Sequence, residues 1–181
     1  MTDFTTYDVV LLVEQALSDA DARQVRSLHE GIEDPVTYHV LLPLEDAAAR
    51  IEASMGSLAG GDMLGSPTLG MQEVDVEAVR KDCEERSSDD LAATLAALRG
   101  AGAKAVGKIV GAEPIDALAA EVAAVDGREA IILTRSHVVS EFFHRDWTSR
   151  ARRKIGVPVL HLLEHENFDE QAGGGEGVSG L

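Results

Sequence analysis

Five short apolar runs limit this chain more than any other feature: YDVVLLVEQ from Tyr7, VTYHVLLPL from Val36, AKAVGKIVG from Ala103, EAIILT from Glu129 and VPVLHLLE from Val157. Each is short for a helix, and the first has none of the alternation of a strand with one wet face. A continuous apolar strand is buried on both sides, so it needs cover above and below. The runs predict strands at about 8–14, 36–42 and 104–110, then one at EAIILT and one at VPVLHLLE.

The segments between them carry helix punctuation. SDADARQVRSLHEG offers Ser18 as an N-cap, acids in the first turn and Gly31 as a stop. EPIDALAAEVAAVDG places Pro114 in a first turn and Gly127 after the end. In the middle, EDAAARIEAS reads as helix, and the glycine-rich connection at about 56–70 is expected to be mobile. VDVEAVRKDCEERS and SDDLAATLAALRGAGA read as two helices, the second capped by Ser88 and ended by Gly100 and Gly102. Residues 166–181, ENFDEQAGGGEGVSGL, have little to bury and are expected to form a disordered tail.

Strands alternating with helices define the fold class: α/β, doubly wound, with a mostly parallel five-stranded sheet and helices on both faces, in one domain over residues 1–165. Ligands of such sheets sit beyond the carboxyl ends of the strands, where the strand order switches direction. The positions to inspect are therefore Glu14 and Gln15, the turn after Leu42, and Thr134 to His137.

Composition narrows the function. The formal charge of −16 opposes nucleic-acid binding, and no apolar run reaches the roughly 18 residues of a membrane span. With the uncharged-to-acidic start MTDFTTYDVV, this predicts a cytoplasmic protein off the membrane. One cysteine, Cys83, leaves no internal disulfide and reads as an inert thiol. The charge is uneven: between 128 and 154 seven basic residues face Glu129, Glu141 and Asp146, a local +4 that leaves −20 elsewhere.

Some motifs are decoys. GAKAVGKI imitates a phosphate loop through Gly107 and Lys108, but it lies in a strand and Ile109 offers no hydroxyl for magnesium. A phosphoacceptor domain needs an acidic cluster, an aspartate and a lysine where this chain has Glu14, Gly111 and Glu164. The six histidines lack metal-ligand spacing and are expected to be ordinary surface or partly buried residues, with no metal.

VVLLVEQ, the stretch LAALRGAGAKAVGKIVGAEPIDALAAEVAAVDGREAIILT and the closing VPVLHLL together resemble the universal stress protein family over nearly all of residues 7–164. The resemblance implies a nucleotide site at the carboxyl edge, with Glu14 where the family ends its first strand in aspartate. It also implies a signature G-x2-G-x9-G-[ST] after the fourth strand, whose spacing survives here as Thr134, His137, Trp147 and Thr148. The glycines are absent, so Trp147 and two further side chains stand where backbone should approach ribose and phosphate. That departure argues against ATP, and no cofactor is expected. Val139, Phe143, Trp147, Ala151 and Ile155 recur every fourth residue, a helical stripe that reads as core.

The leading expectation is a non-enzymatic regulatory protein that binds another protein and, as the resemblance implies, pairs as a homodimer through its last strand. The alternative is a sensor taking a nucleotide or other small anion at Glu14, Thr134, His137, Thr148 and Ser149. A nucleotide hydrolase is the least supported, because Glu14 stands without a second carboxylate for a metal.

Overall fold

The computed structural model describes residues 6–44, 75–111, 113–134 and 153–163. In chain order they form β1 (Tyr7–Val13), α1 (Asp19–Ser27), β2 (Val36–Pro43), α2 (Val76–Gly100), β3 (Lys104–Val110), α3 (Pro114–Val125), β4 (Glu129–Thr134) and β5 (Val159–Leu163). All five strands lie in one sheet of order β3-β2-β1-β4-β5, and every neighbouring pair is parallel.

The apolar runs explain the layers. In β1, Val9, Leu11 and Val13 turn to one face, where Tyr38, Val40, Ile131, Leu133 and residues of α1 and α2 join them. Val10 and Leu12 turn to the other and meet Leu41, Ile132, Leu118 and Val122, the last two on α3. Alternate side chains of a strand point to opposite faces, so only a run apolar at every position suits a strand in the middle of such a sandwich. Ile155, the one described member of the sequence stripe, is buried with the α3 face.

Two helical boundaries differ from those predicted. The segments on either side of Ser88 form one 25-residue helix rather than two. Cys83, Ser87, Thr94 and Leu98 are all buried at spacings of four, seven and four, so one inward face runs unbroken through the Ser-Ser-Asp-Asp stretch. Serine and aspartate inside a helix cost less than about 0.7 kcal/mol each, too little to break a packed face. The cap is instead Asp75, whose carboxylate accepts from the Ala78 N–H.

α1 ends at Ser27, before Gly31, and turn residues follow. The Val25 carbonyl, which a continuing helix would pair with the His29 N–H, faces the His29 ring instead, and the His29 N–H turns to Arg26. After α3 the left-handed residue is Asp126, with φ 51°, not Gly127. Gly127 is needed for closeness: a Cβ there would lie 3.3 Å from Val10 and 3.4 Å from the Val122 backbone. No helix among the described residues is long and apolar enough to cross a membrane.

Candidate functional site

The chain runs outward from β1 to β2 to β3, then returns to β4 on the far side of β1. The switch point is therefore the carboxyl end of the β1–β4 pair, whose last register pair is Val13 with Leu133. Glu14 and Thr134 stand one residue beyond it, as the sequence placed them.

The loop after β1 is held from two directions. Its Leu17 N–H donates to the Thr94 hydroxyl on α2 at 3.1 Å, with Thr94 wholly buried. Ser18 then caps α1: its oxygen accepts from the Asp21 N–H at 3.1 Å, and its hydroxyl donates to the Asp21 carboxylate at 2.6 Å. Glu14 itself is exposed.

Thr134 makes a side-chain contact within the sheet. Its side chain is buried, and its hydroxyl lies 2.8 Å from Nε2 of His161 on β5. His161 pairs in register with Ile132, so the two polar groups meet diagonally on the α3 face of the sheet. Burial pushes the His161 pKa down and favours the neutral ring. The contact occupies one hydrogen-bonding direction of the Thr134 hydroxyl. The bond ties β4 to β5 at the carboxyl edge of the sheet. His137, Thr148 and Ser149 lie outside the described residues, as do Trp147, the 56–70 connection and the tail.

The histidines correct a sequence expectation. His29, expected at or near the surface, is 2% exposed. It joins three elements at the amino edge of the sheet: Nε2 meets the Glu129 carboxylate on β4, and Nδ1 lies 2.7 Å from the Tyr38 hydroxyl on β2 and 3.1 Å from the Val25 carbonyl on α1. Burial pushes the Tyr38 phenol up to about 12, so it stays a neutral hydroxyl. His39 bonds the Asp8 carboxylate at 2.8 Å. His161, the functional-edge residue that sequence reasoning missed, lies 27 residues from Thr134, and nothing in the local pattern joins them. Among the described residues no group of three or more His, Cys, Asp or Glu side chains is placed to hold a metal ion.

The strand order also separates this sheet from the phosphoacceptor type, whose order is 2-1-3-4-5. No protein-family profile matches the sequence, and no curated protein matches it. Solved structures do. A universal stress protein from Archaeoglobus fulgidus is 15% identical, with a TM-score of 0.49 over 86% of this chain and 93% of that one. A universal stress protein family protein from Arabidopsis thaliana, solved with AMP bound, is 14% identical, with a TM-score of 0.49 over 90% and 94%. A hypothetical protein solved as a structural-genomics test of function assignment is 12% identical, with a TM-score of 0.50 over 90% of this chain and all of that one. The last of these shares its overall fold with this chain. Within this fold, the Thr134–His161 pair lies at the carboxyl edge beside the switch in strand order.

Proposed function

We propose that this chain is a divergent universal stress protein that works in the cytoplasm by binding another protein, as a homodimer, without catalysing a reaction. The observation that carries this reading is the Thr134 hydroxyl, buried and bonded to His161 at the position from which a nucleotide would be held. Pairing through β5 is supported by its place at the sheet edge and by Leu160, an apolar side chain exposed there. β5 carries no formally charged residue across VLHLL, which leaves little to repel a second copy.

The test is calorimetric titration of magnesium and ATP into the purified protein, with Trp147 fluorescence as a local reporter and sedimentation for mass. The expected result is no heat and no fluorescence change at millimolar nucleotide, no phosphate release, and the mass of two chains. Leu160→Glu is expected to halve that mass. Micromolar affinity with a tryptophan response would overturn the reading and favour an anion sensor using Glu14, Thr134, His137, Thr148 and Ser149. Phosphate release that disappears on replacing Glu14 would favour a hydrolase.

A further inference from the structure

The opposite edge of the sheet has its own chemistry. In a parallel ladder a residue sends its N–H and C=O to the same side, and successive residues alternate sides. The Val110 carbonyl accepts from Leu44 just beyond β2, so Val110 faces β2, and with it Lys108, Val106 and Lys104. Ala105, Gly107 and Ile109 face away from the sheet. The Ala105 carbonyl is already taken by Arg99, at 2.8 Å. The backbone groups of Gly107 and Ile109 have no strand beside them among the described residues.

Side chains along β3 are also open. Val106 is 46% and Ile109 37% exposed, on opposite faces of the strand. Lys104 and Lys108 share the Val106 face; Lys108 reaches Glu121 on α3 at 2.5 Å, yet remains more than half exposed. We propose that the outer edge of β3, which has no neighbouring strand among the described residues, takes an extended, acidic peptide segment of another protein as an added strand. Backbone bonds to Gly107 and Ile109 would hold it, Ile109 would meet its apolar face, and Lys104 and Lys108 on the opposite face would select acids.

Charge weighs against a second copy paired about Val106 here. A two-fold antiparallel pair centred on Val106 sets Lys104 against Lys108 twice, and it brings together two bodies of −16 each. An acidic partner strand instead sets carboxylates against both lysines. The inference rests on the protein-binding reading above for its meaning, but its test does not involve nucleotide or β5, so the two can fail separately.

The experiment is amide exchange by NMR on the full chain, with a capped peptide of alternating valine and glutamate, about eight residues long, and its valine–lysine counterpart. With the acidic peptide, Gly107 and Ile109 are expected to exchange about tenfold more slowly, while Val106 and Lys108, already turned to β2, stay unchanged. Lys104→Glu with Lys108→Glu should weaken binding about tenfold. Ile109→Pro removes one outward donor at an edge position that tolerates proline, and should abolish binding with the remaining amide spectrum intact. No added protection at millimolar peptide, or equal protection by the lysine peptide, overturns the proposal. So does protection that rises with protein concentration alone, which would identify a second copy as the occupant.

Discussion

At the residue scale, His161 and Asp8 shape how this sheet responds to pH. His161 has its pKa lowered by burial, so the unfolded chain takes up a proton near pH 6.5 while the folded chain resists it. Stability is therefore expected to fall as pH drops below about 6.5 and to level off below the folded value. His161→Gln should flatten that part of the curve, as read by chemical denaturation between neutral and mildly acid pH. For Asp8, burial acts in the other direction. Burial alone would raise its pKa, but hydrogen bonds from Thr6 and His39 and the charges of His39 and Lys104 outweigh it, and the net shift is downward. Its contribution is present above the ordinary aspartate range and lost as pH falls through the depressed folded value. Asp8→Asn should remove that acid-side loss. At the amino edge, Glu129→Gln takes the charge from the partner of buried His29 and is expected to cost about 1–3 kcal/mol. None of these pairs was legible in the sequence, because their members lie 27, 31 and 100 residues apart and only strand register brings them together.

At the scale of elements, α2 supplies the sharpest contrast between local signal and packing. Ser88 looks like a cap in sequence, yet it is exposed in mid-helix. Ser88→Ala is therefore expected to leave stability unchanged or raise it by up to about 0.5 kcal/mol; a cap residue would lose about 1 kcal/mol. Thermal denaturation separates the two. Glycines of similar appearance should also part company. A Cβ on Gly107 would lie 2.8 Å from Leu91 and 3.0 Å from the Val40 carbonyl, whereas one on Gly100 meets nothing within 4 Å. Gly107→Ala is expected to destabilise by about 1–3 kcal/mol, and Gly100→Ala to stabilise by about 0.4–1 kcal/mol. Strands, by contrast, were read almost to the residue: the 104–110 prediction matches β3, and the 36–42 prediction misses only Pro43 of β2. Their apolar continuity reports burial on two faces, and that is a property of the run itself.

For the whole molecule, the sheet order predicts a gradient of opening. β1 lies between β2 and β4 with both faces covered, while β3 and β5 are edges. Amide exchange should be slowest at Val9 to Val13 and fastest at the outward groups of β3, with native-state exchange as the measurement. A uniform pattern would contradict the layered core. What the sequence alone determined was the alternation of strand and helix, the two-faced burial of the sheet, and the position of Glu14 and Thr134 at a carboxyl edge. Those follow from periodicity and chain order, which are local. Tertiary structure decided that the Thr134 hydroxyl meets His161, that α2 runs through its serines, and that a side chain at Gly107 would crowd Leu91 and the Val40 carbonyl. Each of those depends on which atoms two distant segments bring within a few ångströms, a distance that no single segment encodes.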